Sequence, residues 1–275
     1  MRILEFGYMQ RALVACTVVC AVAPLAGTFV VQRRQSLVGD GLGHVAFAGV
    51  GLAFLVGISP LAGALALTLM AAGVLVRLQR GGLAGDLSLA LIFYGGIALG
   101  YLFAQRSGAG LNTLLGFLFG SPLNLQWPTV AAIIGLSAAT LVVLLALYGP
   151  LVSLAFDEQA ARVSGVPADG LVLALTVIVG LIVVGGMNAI GLLLIAAMMI
   201  VPVAAASQVA RSYRATMGIA SGIGASSALV GLTVAFHADY TPGASIVLVA
   251  IGCYILAAAA RQLRRRRRPL TAATA

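Results

Sequence analysis

Nine apolar segments, joined by short polar turns, leave this chain a lipid bilayer as the solvent in which it can fold. Crossing a hydrocarbon core of ~30 Å takes about 20 helical residues, with a range near 17–25. The stretches 12–31, 37–58, 60–76, 88–104, 128–147, 170–187, 190–206, 217–236 and 243–260 qualify. Only 8% of the 275 residues are charged, against about 25% in soluble domains, and the mean hydropathy is +1.11. Backbone groups in lipid must be paired within their own segment, so these stretches are helices. The expected fold class is all-α, a polytopic membrane protein of about nine spans. Its expected organisation is an external segment 1–11, a transmembrane domain 12–260 and a basic cytoplasmic tail 261–275. The stretch 111–120 is apolar but too short to cross, and reads as re-entrant or interfacial.

Arginine placement sets the orientation, because cytoplasmic loops carry the excess of positive charge. With the C-terminus inside and nine crossings, Arg33, Arg34, Arg77, Arg80, Arg162, Arg211, Arg214, Arg261 and Arg264 to Arg268 all fall inside. Arg2, Arg11 and Arg106 fall outside. The net charge of +9 does not point to nucleic acid, since five of the sixteen arginines form that tail cluster. Such a cluster after an apolar helix is a topology anchor at an anionic leaflet. The first apolar stretch reads as a span rather than a cleaved signal peptide.

The chain has no lysine. A P-loop needs its GxxxxGK[ST] lysine on the phosphates, so any ATP-driven step belongs to another chain. No loop is long enough for a separate catalytic or capture domain, and HExxH is absent. Cys16, Cys20 and Cys253 lie in apolar segments and read as small buried hydrophobes. Gly191, Pro202, Gly218, Gly222 and Gly224 read as packing or bending points.

Asp40 and His44 stand in the run GDGLGHVAFAG. Their spacing of four puts two metal-ligating side chains on one helix face. Placing Asp at a span's centre costs roughly 2.5–3.5 kcal/mol on insertion scales, so such a residue reads as functional. The alternative is a helix cap and a satisfied buried histidine. Two ligands are too few for tight Zn²⁺ binding, and a two-fold dimer would double them. The inside loop LAFDEQAARVSGVP reads as one short helix, capped by Asp157 and stopped by Gly165 and Pro167. It is either an element that a peripheral motor pushes or an ordinary connector. In FHADYTPGAS, outside, His237 and Asp239 are weak cation candidates, or simply solvated residues.

These motifs together resemble the metal-ion ABC importer permeases of zinc and manganese uptake. The second segment resembles GDxxxHxxxxG at Gly39, Asp40, His44 and Gly49. The loop resembles fDxxxAxxxGxP at Phe156, Asp157, Ala161, Gly165 and Pro167. A later segment resembles GxxLxxxxLxxPxxxA at Gly191, Leu194, Pro202 and Ala206, with Met199 in place of the usual Leu. A last element runs from Pro242 to Val247. The resemblance implies a homodimeric permease in the cell membrane, with no enzymatic activity and no permanent cofactor. Asp40 and His44 would be the intramembrane metal pair. Phe156, Asp157, Ala161, Gly165 and Pro167 would couple to a separate ABC ATPase, and an extracytoplasmic binding protein would deliver the ion. Ala48 stands where the manganese and iron branch tends to carry Pro, so the expected cargo is Zn²⁺, with manganese or iron the alternative. A proton-coupled secondary transporter using Asp40 is the reading from another class; such folds often show inverted repeats, and no clear repeat is visible here.

Overall fold

The computed structural model describes residues 5–108 and 111–266. Within them the chain forms twelve α-helices and no strand. They are α1 (Gly7–Gln32), α2 (Val38–Val56), α3 (Pro60–Arg80), α4 (Gly85–Arg106), α5 (Leu111–Phe119), α6 (Trp127–Ala146), α7 (Tyr148–Phe156), α8 (Glu158–Val163), α9 (Ala168–Gly186), α10 (Leu192–Ser207), α11 (Tyr213–Ala238) and α12 (Pro242–Arg266). A 3-10 turn, Pro122–Asn124, precedes α6.

All nine expected spans are helices. Eight are long and apolar enough to cross a membrane. The ninth, α10, has 16 residues, which at 1.5 Å per residue falls short of the core thickness. The predicted segment 1–11 and tail 261–275 are partly absorbed into helices: Gly7 opens α1, and α12 runs on to Arg266. Residues 1–4 and 267–275 lie outside the described residues, and with them Arg2, Arg267 and Arg268. The stretch 111–120 forms the nine-residue helix α5, packed against α10 and α2.

Local chemistry explains the boundaries. Ser59 caps α3 by accepting from the Ala62 N–H at 3.3 Å, with Pro60 at the first helical position, where its missing N–H costs nothing. Ser212 caps α11 through the Ala215 N–H at 3.2 Å. The short helix expected after Asp157 is α8, and a second helix, α7, precedes it in the same loop.

Helix α2 sits at the centre, packed by α3, α4, α9 and α10. Helix α1 packs against α11, α10, α6 and α9. Close approach needs small residues, since lipid offers helices no hydrophobic reason to associate. Gly49 of α2 meets Gly63 of α3 backbone to backbone, and Gly96 of α4 lies on the His44–Val45 backbone. Phe29, Leu42, Leu75, Ile178 and Met198 fill the interior. Of the α11 glycines, Gly224 presses on the Cys20 carbonyl, whereas Gly218 and Gly222 face open space; those two are not packing points in this fold. Cys16 and Cys20 are buried, as expected. At the opposite end of the bundle from Arg33, Gly191 has φ +103 and lies against the Phe119–Gly120 backbone, while Gly243 touches the Ile190 carbonyl. Any side chain at Gly191 would meet both a left-handed backbone and a neighbouring main chain.

Candidate functional site

Asp40 occupies the first turn of α2 and His44 the next turn, on the same face. Both are half-buried. Among the described residues the Asp40 carboxylate has no ion pair and no hydrogen-bond partner. The first turn of a helix favours such a charge through its free N–H groups. The His44 ring stands edge-on to Phe93 of α4, with centroids 4.7 Å apart. It borders an apolar cleft of about 560 Å³ formed by Phe47, Ile97, Tyr101, Leu114 and Leu193. That cleft gives the imidazole open space on one side and a packed aromatic on the other. Helices α4 and α9 start three and two residues before the expected spans 88–104 and 170–187, and take in Asp86 and Asp169.

Two groups on α4 were not visible as site residues: Phe93, which orients His44, and Gly96, whose lack of a side chain lets α4 reach the His44 backbone. The spacing of Gly96 and Gly100, with three residues between, is the signal that could have found them. Among the described residues no group of three or more His, Cys, Asp or Glu side chains comes together.

The residues of the loop between α6 and α9 take the local roles their types suggest. Phe156 ends α7, exposed, with its ring 5.8 Å from that of Tyr213. Asp157 caps α8 by accepting from the Ala160 N–H at 2.9 Å. Ala161 is buried, Gly165 closes the helix at φ +79, and Pro167 precedes α9. The Val166 N–H donates to the Ala161 carbonyl at 3.0 Å, satisfying one of the helix's last acceptors.

An ion-pair chain fastens this loop to the bundle. Glu158 accepts from Arg33 at the C-cap of α1 and from Arg162, each at 2.9 Å. Arg162 also meets Asp169 at 2.5 Å, and Arg80 lies 3.7 Å from Asp169. Partial burial opposes ionisation of Glu158, but the hydrogen bond from Arg162 and the charge of Arg33 outweigh it and hold the carboxyl below its usual range. His237 and Asp239 both lie exposed at the far end of α11. His237 Nδ1 is 2.9 Å from the Thr233 carbonyl, and Asp239 is the left-handed C-cap at φ 58. Both are engaged in ending a helix.

Known proteins share this architecture. The model of the ABC 3 transport family matches residues 5–261. The manganese import system permease protein ScaB of Streptococcus pneumoniae is 31% identical over 251 residues, covering 89% of this chain and 87% of that one. A probable metal transport system membrane protein of Treponema pallidum is 31% identical over 268 residues, covering 96% and 99%. The structure of PsaBC from Streptococcus pneumoniae in complex with Fab superposes with a TM-score of 0.85 at 28% identity, covering 96% of this chain and 97% of that one. Matched over nearly its whole length, the chain belongs to the ABC 3 transport family, as a multi-pass membrane permease subunit and not an enzyme.

Proposed function

We propose that the chain is the permease of an ATP-driven importer of divalent transition metal, with manganese as its cargo. The observation that carries this is the Asp40–His44 pair: two ligand types one turn apart, beside an open cleft, with the carboxylate unclaimed by any described residue. An ion in transit must bind weakly enough to leave, and two side-chain ligands per copy suit that. A second copy meeting this one on a two-fold axis would raise the set to four. His44 ligates as neutral imidazole. Zinc draws no support from the relatives, six of which are named for manganese import or transport, and manganese accepts carboxylate and water oxygens readily.

The partners in this reading are a second copy, an ATPase on a separate chain and an external metal-binding protein. ATPase motion enters at α7–α8. The C-terminus is cytoplasmic. Arg33, Arg80, Arg162, Arg214 and Arg261 support that orientation, since their contacts with Glu158, Asp169, Tyr148 and Gln208 gather them at one end of the bundle.

The test is uptake of radioactive manganese and zinc into proteoliposomes that hold the chain, its ATPase and the loaded binding protein. ATP-dependent manganese uptake, lost in His44→Ala, is expected. Uptake driven by a proton gradient without the ATPase would overturn the reading in favour of a secondary transporter.

A further inference from the structure

The ion pairs around Glu158 do more than fasten a loop, because of what lies beyond Arg33. Helix α8 has six residues and packs on α7, with a smaller contact to α9. Among the described residues its one polar tie to the α1–α2 corner is the Arg33–Glu158 pair, 2.9 Å long. The Arg33 side chain is only 10% exposed, so its position is set by packing rather than by solvent. From Arg33 the chain reaches Asp40 in seven residues. That corner is tightly closed. The Arg33 N–H donates to the Phe29 carbonyl at 3.1 Å, the Arg34 N–H to Val31 at 3.0 Å and the Gln35 N–H to Val30 at 3.0 Å. On the far side the Val38 N–H donates to Gln35 at 3.0 Å and the Gly41 N–H to Leu37 at 3.0 Å. Arg34 takes the left-handed conformation, φ 56, which few non-glycine residues adopt. A corner held this way has little slack to absorb a displacement of Arg33.

We infer that Glu158 is a positioning residue for transport: through its pair with Arg33 it ties the movement of α8 to the α1–α2 corner and so to the placement of Asp40. The inference rests on the permease reading above and names the joint by which that reading works. The other limb, from Glu158 through Arg162 to Asp169 and Arg80, holds α8 to α9 and α3 but does not touch the corner. The two limbs therefore separate experimentally. Loss of the Arg33 pair removes the polar tie between α8 and the corner that carries Asp40, whereas loss of Arg162 leaves that tie in place.

The two limbs are compared in proteoliposomes of the full chain with its ATPase and manganese-loaded binding protein. The readout is manganese ions taken up per ATP hydrolysed. Glu158→Gln is expected to lower that ratio about tenfold, in keeping with the loss of one hydrogen bond to a charged group, with hydrolysis within about twofold of wild type. Arg33→Gln is expected to do the same, and the double variant to be no worse than either alone, because both remove one joint. Arg162→Gln is expected to keep the wild-type ratio. Should Glu158→Gln fail to assemble, Arg33→Lys, which keeps the charge but offers a single ammonium, is expected to give an intermediate ratio. An unchanged ratio in Glu158→Gln or Arg33→Gln would overturn the joint. So would uptake and hydrolysis falling in proportion, since that marks a role in docking the ATPase. Wild type that takes up no manganese would sink the permease reading itself, a result distinct from an active wild type with unaffected variants.

Discussion

Helices α2 and α6 are alike in length and unlike in almost everything that matters for the site. The most apolar window of α6 has a mean hydropathy of 2.4 and is 28% buried within the chain, whereas that of α2 has 1.5 and is 61% buried. The less apolar helix is the more interior one. In water this would invert the hydrophobic rule; in lipid it follows, since hydrocarbon surrounds an exposed helix as comfortably as other helices do. What brings a helix to the centre is the small residues that admit neighbours. Helix α2 carries Gly39, Gly41, Gly43, Gly49 and Gly51, while α6 carries only Gly135, which faces open space.

That contrast can be broken in several places. The largest difference is expected between the two histidines. His44→Ala on the central helix should lower ATP-dependent manganese uptake at least about 100-fold, beyond what loss of an outer-shell partner costs. His237→Ala at the exposed end of α11 should stay within about twofold of wild type by the same criterion. Equal losses in initial uptake rate would mean that position relative to α2 does not define the site.

Next come two adjacent glycines on α4. A side chain at Gly96 would collide with the His44–Val45 backbone, and one at Gly95 would meet nothing. Gly96→Leu should destabilise the protein by about 2 kcal/mol or more through overpacking, while Gly95→Leu should be nearly silent. Thermal challenge followed by gel filtration in detergent separates the two.

A smaller effect is expected from shortening valines. Val50 on α2 is fully buried and Val142 on α6 is 66% exposed. Val50→Ala should cost about 1–2 kcal/mol by leaving a cavity. Val142→Ala should remain within about 0.5 kcal/mol. Denaturation in a mild-to-harsh detergent series reads the difference.

The smallest effect is electrostatic. The Glu158 carboxyl is held below its ordinary value of 4.5, so its contribution is complete above that pH and is lost as pH falls through the lowered value. Denaturation midpoints should be flat between about pH 6 and 8 in this respect and decline in acid. Glu158→Gln should remove at most about 1 kcal/mol of that decline, since the pair is partly exposed. A Glu158→Gln profile with the wild-type acid slope would discard the contribution.

The spans were legible because hydropathy and length bound them tightly, and each of the nine expected segments became a helix. Helix α7 was not. It lies in the stretch between two spans where only the helix after Asp157 was expected; Pro150 falls within its first turn, where no backbone donor is needed. Asp40 and His44 were legible as a pair from their spacing, and Asp157 and Gly165 from their capping chemistry. The groups that position them were not. Phe93 and Gly96 lie about fifty residues downstream of His44, and Arg33 finds Glu158 across 125 residues. Spacing along one helix speaks only to its own face; which faces meet is decided by the assembled bundle.

The two ends of the bundle are held by different kinds of force. Around Gly191, Gly120 and Gly243 main chains interlock by shape; around Arg162, with Glu158, Asp169 and Arg80, the fastening is ionic and open to solvent. Salt screens charges over about 8 Å at physiological strength and over shorter distances in brine, but it cannot loosen a steric interlock. Ionic strength is therefore a dial that acts on one end of this molecule only. A protein purified in concentrated salt would reach the spectrometer with its arginine end slackened and its glycine end unchanged.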